Sequence, residues 1–67
     1  MINLTTIIDG FRMNEVIYTF EGNAEILSET QAHVPTDCGV ILCDTTMTID
    51  NESFNNINDF LIKLYGK

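Results

Sequence analysis

The stretch Gly22-Asn23-Ala24-Glu25-Ile26-Leu27-Ser28-Glu29-Thr30-Gln31-Ala32-His33-Val34 decides the fold. As a strand, residues 24–34 put Ala24, Ile26, Ser28, Thr30, Ala32 and Val34 on one face. Glu25, Leu27, Glu29, Gln31 and His33 then fall on the other. As a helix, the segment has Asn23 as a fair N-cap, and its Ala, Glu, Leu and Gln content suits that state. The helical apolar stripe is thin, with Ile26, Leu27 and Val34 and little between them. Gly22-Asn23 follows an alternating segment and reads as a tight turn. That punctuation favours a strand entered through a hairpin, with the helix as the alternative.

Upstream, residues 2–8 alternate as a strand, with Ile2, Leu4, Thr6 and Ile8 on one face. Asp9-Gly10 is a turn signal, and the hairpin loop extends into the ambiguous residues 11–14. Residues 15–21 form the second strand, with Val16, Tyr18 and Phe20 on one side. Downstream, residues 35–39 read as a loop around Pro35 and Gly39. Residues 40–49 are the clearest strand, with Ile41, Cys43, Thr45, Met47 and Ile49 on an apolar face. The apolar start of that strand suggests a central position.

Residues 52–65 carry a helical stripe of Phe54, Ile57, Leu61, Leu64 and Tyr65, flanked by Phe60. Asp50 or Asn51 is the expected N-cap, Gly66 the stop, and Lys63 and Lys67 suit the negative end. The sum is a single small α+β domain over residues 1–67. Its expected form is a four-stranded antiparallel meander with one amphipathic C-terminal helix on one face.

Sixty-seven residues allow a core, but a thin one: a chain this short buries about 60 % of the surface its unfolded form exposes. Ten Asp and Glu stand against three Lys and Arg, a net charge of −7. That excludes the basic footprint of a nucleic-acid binder. No apolar run approaches the roughly 18 residues of a membrane span. Residues 1–10 lack a positive n-region and a long h-region, so no signal peptide is expected. Cys38 and Cys43 read as reduced thiols of a cytoplasmic protein, Cys43 as an ordinary core residue. Their odd separation places them on opposite faces of an extended segment, which disfavours a disulfide.

Catalytic and metal chemistry find little material. His33, Cys38 and Cys43, with Asp37 or Asp44, could formally build a nucleophile and base. A chain of this size leaves little room for a substrate pocket, so no enzyme activity is expected. One His and two Cys lack the paired spacing of a structural zinc site, and no Gly-rich phosphate loop is present. No metal or cofactor is expected.

The acids are the remaining signal. From Met13 to Ile62 there is no Lys or Arg at all, while nine acids fall in that span, from Glu15 to Asp59. Glu21, Glu25 and Glu29 recur every four residues, about 13 Å apart on a strand at ~3.3 Å per residue. Carboxylates so placed can stand in for phosphates in a nucleic-acid groove.

In its small size, acidity, Asn and Ile content and lack of cofactor motifs, the chain resembles accessory proteins of phages and mobile elements, including anti-CRISPR and anti-restriction inhibitors. The resemblance implies an inhibitor or adaptor that blocks a basic, nucleic-acid-handling protein as a nucleic-acid mimic, in a bacterial cytoplasm. Glu21, Glu25, Glu29, Asp37 and Asp44 are the expected contacts. An alternative is a self-associating module, a homodimer joined through the apolar residues Ile7, Ile17, Leu27 and Leu42.

Overall fold

A computed structural model of the chain describes residues 2–66. Two sheets and one C-terminal helix make a small α+β fold. The first sheet has four strands: β1 (Asn3–Ile7), β2 (Gly10–Met13), β3 (Val16–Thr19) and, further along the chain, β7 (Thr48–Ile49). Its order is β3-β2-β1-β7, antiparallel except for the parallel β1–β7 pair. The second sheet holds β4 (Glu25–Ile26), β5 (Gln31–Thr36) and β6 (Gly39–Asp44), antiparallel in that order. Helix α1 spans Ile57–Tyr65.

Two sheets replace the expected single meander, and the chain departs from the expected elements at four places. Residues 11–14 are not loop: Asn14 and Glu15, with φ of 52° and 68°, form a left-handed two-residue turn. That turn folds β2 against β3 in the twist a hairpin favours. The β1–β2 turn uses Ile8 and Asp9, and Gly10 lies inside β2. A Cβ at Gly10 would sit 2.2 Å from the Tyr18 carbonyl oxygen, so only glycine allows the strands to approach there.

Residues 24–34 are neither one strand nor a helix. The chain turns at residues 27–30, where Leu27 and Ser28 N–H both donate to the Gln31 carbonyl at 3.0 and 3.2 Å. Strand β5 then runs on through Pro35 and Thr36, into the expected loop.

Residues 40–49 are two strands in different sheets. The Asp44 carboxylate accepts from Thr46 N–H (2.9 Å) and from the Thr46 hydroxyl, closing a turn that sends β7 to the side of β1. β6 is consequently an edge strand, not a central one.

The helix begins later than residue 52. Asp50 and Asn51 are left-handed, with φ of 49° and 68°, in a turn bridging Ile49 and Glu52. Asp50 is held there by Thr6, whose hydroxyl donates to its carboxylate at 2.6 Å. Asn56 caps the helix instead, accepting from Asp59 N–H at 2.9 Å. Lys63 lies in the last turn, and Lys67 falls outside the described residues.

Both sheets and the helix share one core. Leu4, Phe11 and Ile49 from the first sheet meet Ala32, Val34 and Cys43 from the second and Ile57, Phe60 and Leu64 from the helix. Rings of Tyr18, Phe11, Phe20 and Tyr65 follow one another at centroid distances of 5.2, 5.4 and 4.2 Å along its margin. The Tyr65 hydroxyl donates to the Gly22 carbonyl at 3.1 Å, pinning the helix end to the β3–β4 connection.

Replacing Gly10 by Ala forces β2 and β3 apart, and a loss of about 2–4 kcal/mol in urea unfolding is expected. Phe60→Ala empties the core beneath the helix and should cost about 3–5 kcal/mol. Unchanged midpoints would contradict the β2–β3 pairing and the core, respectively.

Candidate partner-binding surface

Backbone parity sorts the second sheet into two faces. Ala32, Val34, Thr36, Ile41 and Cys43 turn to the core. Gln31, His33, Pro35, Val40, Leu42 and Asp44 form the outer face, joined by Glu25 from β4. Glu25, His33 and Leu42 occupy one rung, and a Glu25 carboxylate oxygen lies 3.6 Å from His33 Nδ1.

The five acids expected to bind a partner divide into two groups. Glu21, Glu25 and Glu29 are exposed, and none has a Lys or Arg within ion-pair distance among the described residues. Glu21 follows β3, Glu25 starts the second sheet, and Glu29 sits in the β4–β5 turn. Glu29 also carries a backbone role, since its carbonyl accepts from Ile57 N–H at 2.7 Å and ties the helix start to the turn.

Asp37 and Asp44 have structural duties. The Asp37 carboxylate accepts from Thr19 N–H at 3.0 Å across the two sheets, and Asp44 closes its turn onto Thr46. Sequence alone shows five carboxylates, and only the fold separates those with backbone work from those left in water.

The four apolar residues do not make one patch. Ile7 and Ile17 share the outer face of the first sheet, with Gly10 and Arg12 of β2 between them. Leu27 lies in the β4–β5 turn, and Leu42 on the outer face of the second sheet. Val40, at 63 % exposure next to Leu42 at 46 %, was not among the four. Its place in the apolar start of residues 40–49 was the available signal.

His33, Cys38 and Cys43 are also kept apart. His33 faces out from β5, Cys43 is buried under β6, and Cys38 occupies the exposed β5–β6 turn. Among the described residues no three His, Cys, Asp or Glu side chains converge on a common point. A cleft of about 480 Å³ runs between the β4–β5 turn and the helix start, lined by Ile26, Ser28, Glu29, Asn56, Ile57 and Asn58. Glu29 is the single titratable side chain in its lining, and the neighbouring Ser28 hydroxyl interacts with Thr30. No helix among the described residues is long and apolar enough to cross a membrane. No family model, no curated protein and no solved structure matches the chain.

The two thiols differ chemically. Burial, followed by the charge of Asp44, pushes the Cys43 thiol up to about 11 from its ordinary 9.0. Cys38 is raised by desolvation and then by Asp37. The native chain holds the Cys43 proton that the unfolded chain releases first, so stability falls as pH rises from about 9 to about 11. A Cys43→Ala variant should show a shallower alkaline decline in urea midpoint than the parent chain. Iodoacetamide labelling of the native chain at neutral pH should modify Cys38 and spare Cys43. Equal labelling of both would contradict the burial of Cys43.

Proposed function

We propose that the chain is a small non-catalytic inhibitor or adaptor that binds a basic, nucleic-acid-handling protein through its acidic surface. One observation carries the reading: Glu21, Glu25 and Glu29 project into solvent with no Lys or Arg in ion-pair range. The ion pair that uses a Lys among the described residues, Lys63–Glu52 at 2.8 Å, is on the helix side, and the partner of Glu25 is His33 at 3.6 Å. Uncompensated carboxylates create a negative field that repels nucleic acid and draws basic proteins in. Such a field raises the association rate and makes binding sensitive to salt.

The test is affinity capture from bacterial lysate with the parent chain and with the triple variant Glu21→Gln, Glu25→Gln, Glu29→Gln. The parent should hold a basic nucleic-acid-binding protein at low salt and release it at high salt. Three exposed pairs at about 0.5 kcal/mol each weaken purified binding by roughly tenfold in the variant. Capture of the same protein with unchanged affinity and unchanged salt dependence would sink the electrostatic reading.

A further inference from the structure

The second sheet has an open edge. β6 pairs with β5 on one side and, among the described residues, with no strand on the other. The phase of β5 shows which backbone groups that edge presents. Pro35 has no N–H, and its carbonyl accepts from Glu21 N–H at 3.0 Å, away from β6. The Gln31 carbonyl likewise turns from β6 to accept from Leu27. Pro35↔Val40 and Gln31↔Asp44 are therefore the non-bonded pairs of the ladder, and by alternation so is His33↔Leu42. Val40 and Leu42 consequently aim both N–H and C=O at the open edge. No other described backbone group bonds to them.

Natural edge strands are blunted by Lys, by Pro or by a bulge. Gly39-Val40-Ile41-Leu42-Cys43-Asp44 has no Lys and no Pro, and it pairs with β5 residue for residue. Its outer face offers Val40 and Leu42, both substantially exposed, between Pro35 and the carboxylates of Asp44 and Glu25.

Charge chooses the occupant. A second copy pairing edge to edge would bring another −7 and the same acids against this face. A segment with Lys or Arg beside its apolar residues would meet them with opposite sign. We propose that β6 is a docking edge for an extended, basic segment of the partner, which adds to the sheet as a fourth strand. Its apolar residues would pack in the rungs of Val40 and Leu42, and a Lys or Arg beyond them would face Asp44. The inference rests on reading the chain as a binder of basic proteins, and names how the partner is held.

The probe is the peptide acetyl-Lys-Thr-Val-Thr-Val-Thr-Lys-amide, titrated into isotope-labelled full-length chain and followed by amide NMR. Shifts should concentrate on Val40, Leu42 and Asp44. N-methylating the peptide backbone on its bonding edge, which leaves the protein untouched, should weaken binding by at least about tenfold. Leu42→Pro removes an outward N–H and leaves the β5 ladder its bonds, so it should fold and lose a similar factor. A peptide with Glu in place of Lys should not bind.

Several results would overturn the proposal. They are equal binding of the N-methylated or the Glu peptide, absence of binding, and a scattering mass of two chains with β6 amides already protected. Salt-sensitive shifts confined to Glu21 and Glu29 would remove the edge and leave the acidic-surface reading standing.

Discussion

Strand β5 is held along one side by two different partners, and that double grip organises the molecule. Near its start it pairs with β4, and near its end the chain leaving β3 takes over. Glu21 N–H donates to the Pro35 carbonyl, Asp37 N–H to the Thr19 carbonyl, and the Asp37 carboxylate accepts from Thr19 N–H. These three bonds join the sheets where Phe20 bridges Thr36. They also lock the phase of β5, because a slip of one residue would turn every side chain to the wrong face. Ala32, Val34 and Thr36 point inward only in this register.

Once the sheets are joined at this angle, the helix has one place to lie. Ile57, Phe60 and Leu64 fill the space between them, and each end of α1 is fastened to the chain it covers. At its start Ile57 N–H donates to Glu29, and at its finish the Tyr65 hydroxyl donates to Gly22. A nine-residue helix is too short to persist alone, so these attachments and the burial of its stripe maintain it. The same joint covers one side of β5 and leaves the far side of β6 bare. The open edge and the core are two consequences of one register.

Much of the architecture was legible in local pattern. The helical stripe from Ile57 to Tyr65, the alternation of Asn3–Ile7, Val16–Thr19 and Gly39–Asp44, and the burial of Cys43 follow from side-chain periodicity. What escaped depended on turns without the usual glycine signature. Asn14-Glu15 and Asp50-Asn51 adopt left-handed backbone with non-glycine residues. Asp44 breaks the long apparent strand by hydrogen-bonding Thr46, and Pro35 sits inside a strand because its missing N–H faces no acceptor it must satisfy. The acidity of the surface was plain from composition. The role of each acid was not, because Asp37 and Asp44 reveal their backbone bonds only after distant segments meet. The exposed edge of β6 was hidden for the same reason, since edge status is a property of pairing order.

The measurement that tests this account most directly is amide hydrogen exchange along β6 in the free chain. An alternating pattern is expected: Ile41 and Cys43, bonded to β5, exchange slowly, while Val40 and Leu42, aimed at the open edge, exchange fast. Uniform protection across all four would show the edge to be covered. Uniform lability would show that β6 is not paired as described and would contradict the register of β5, whereas uniform protection would contradict the open edge.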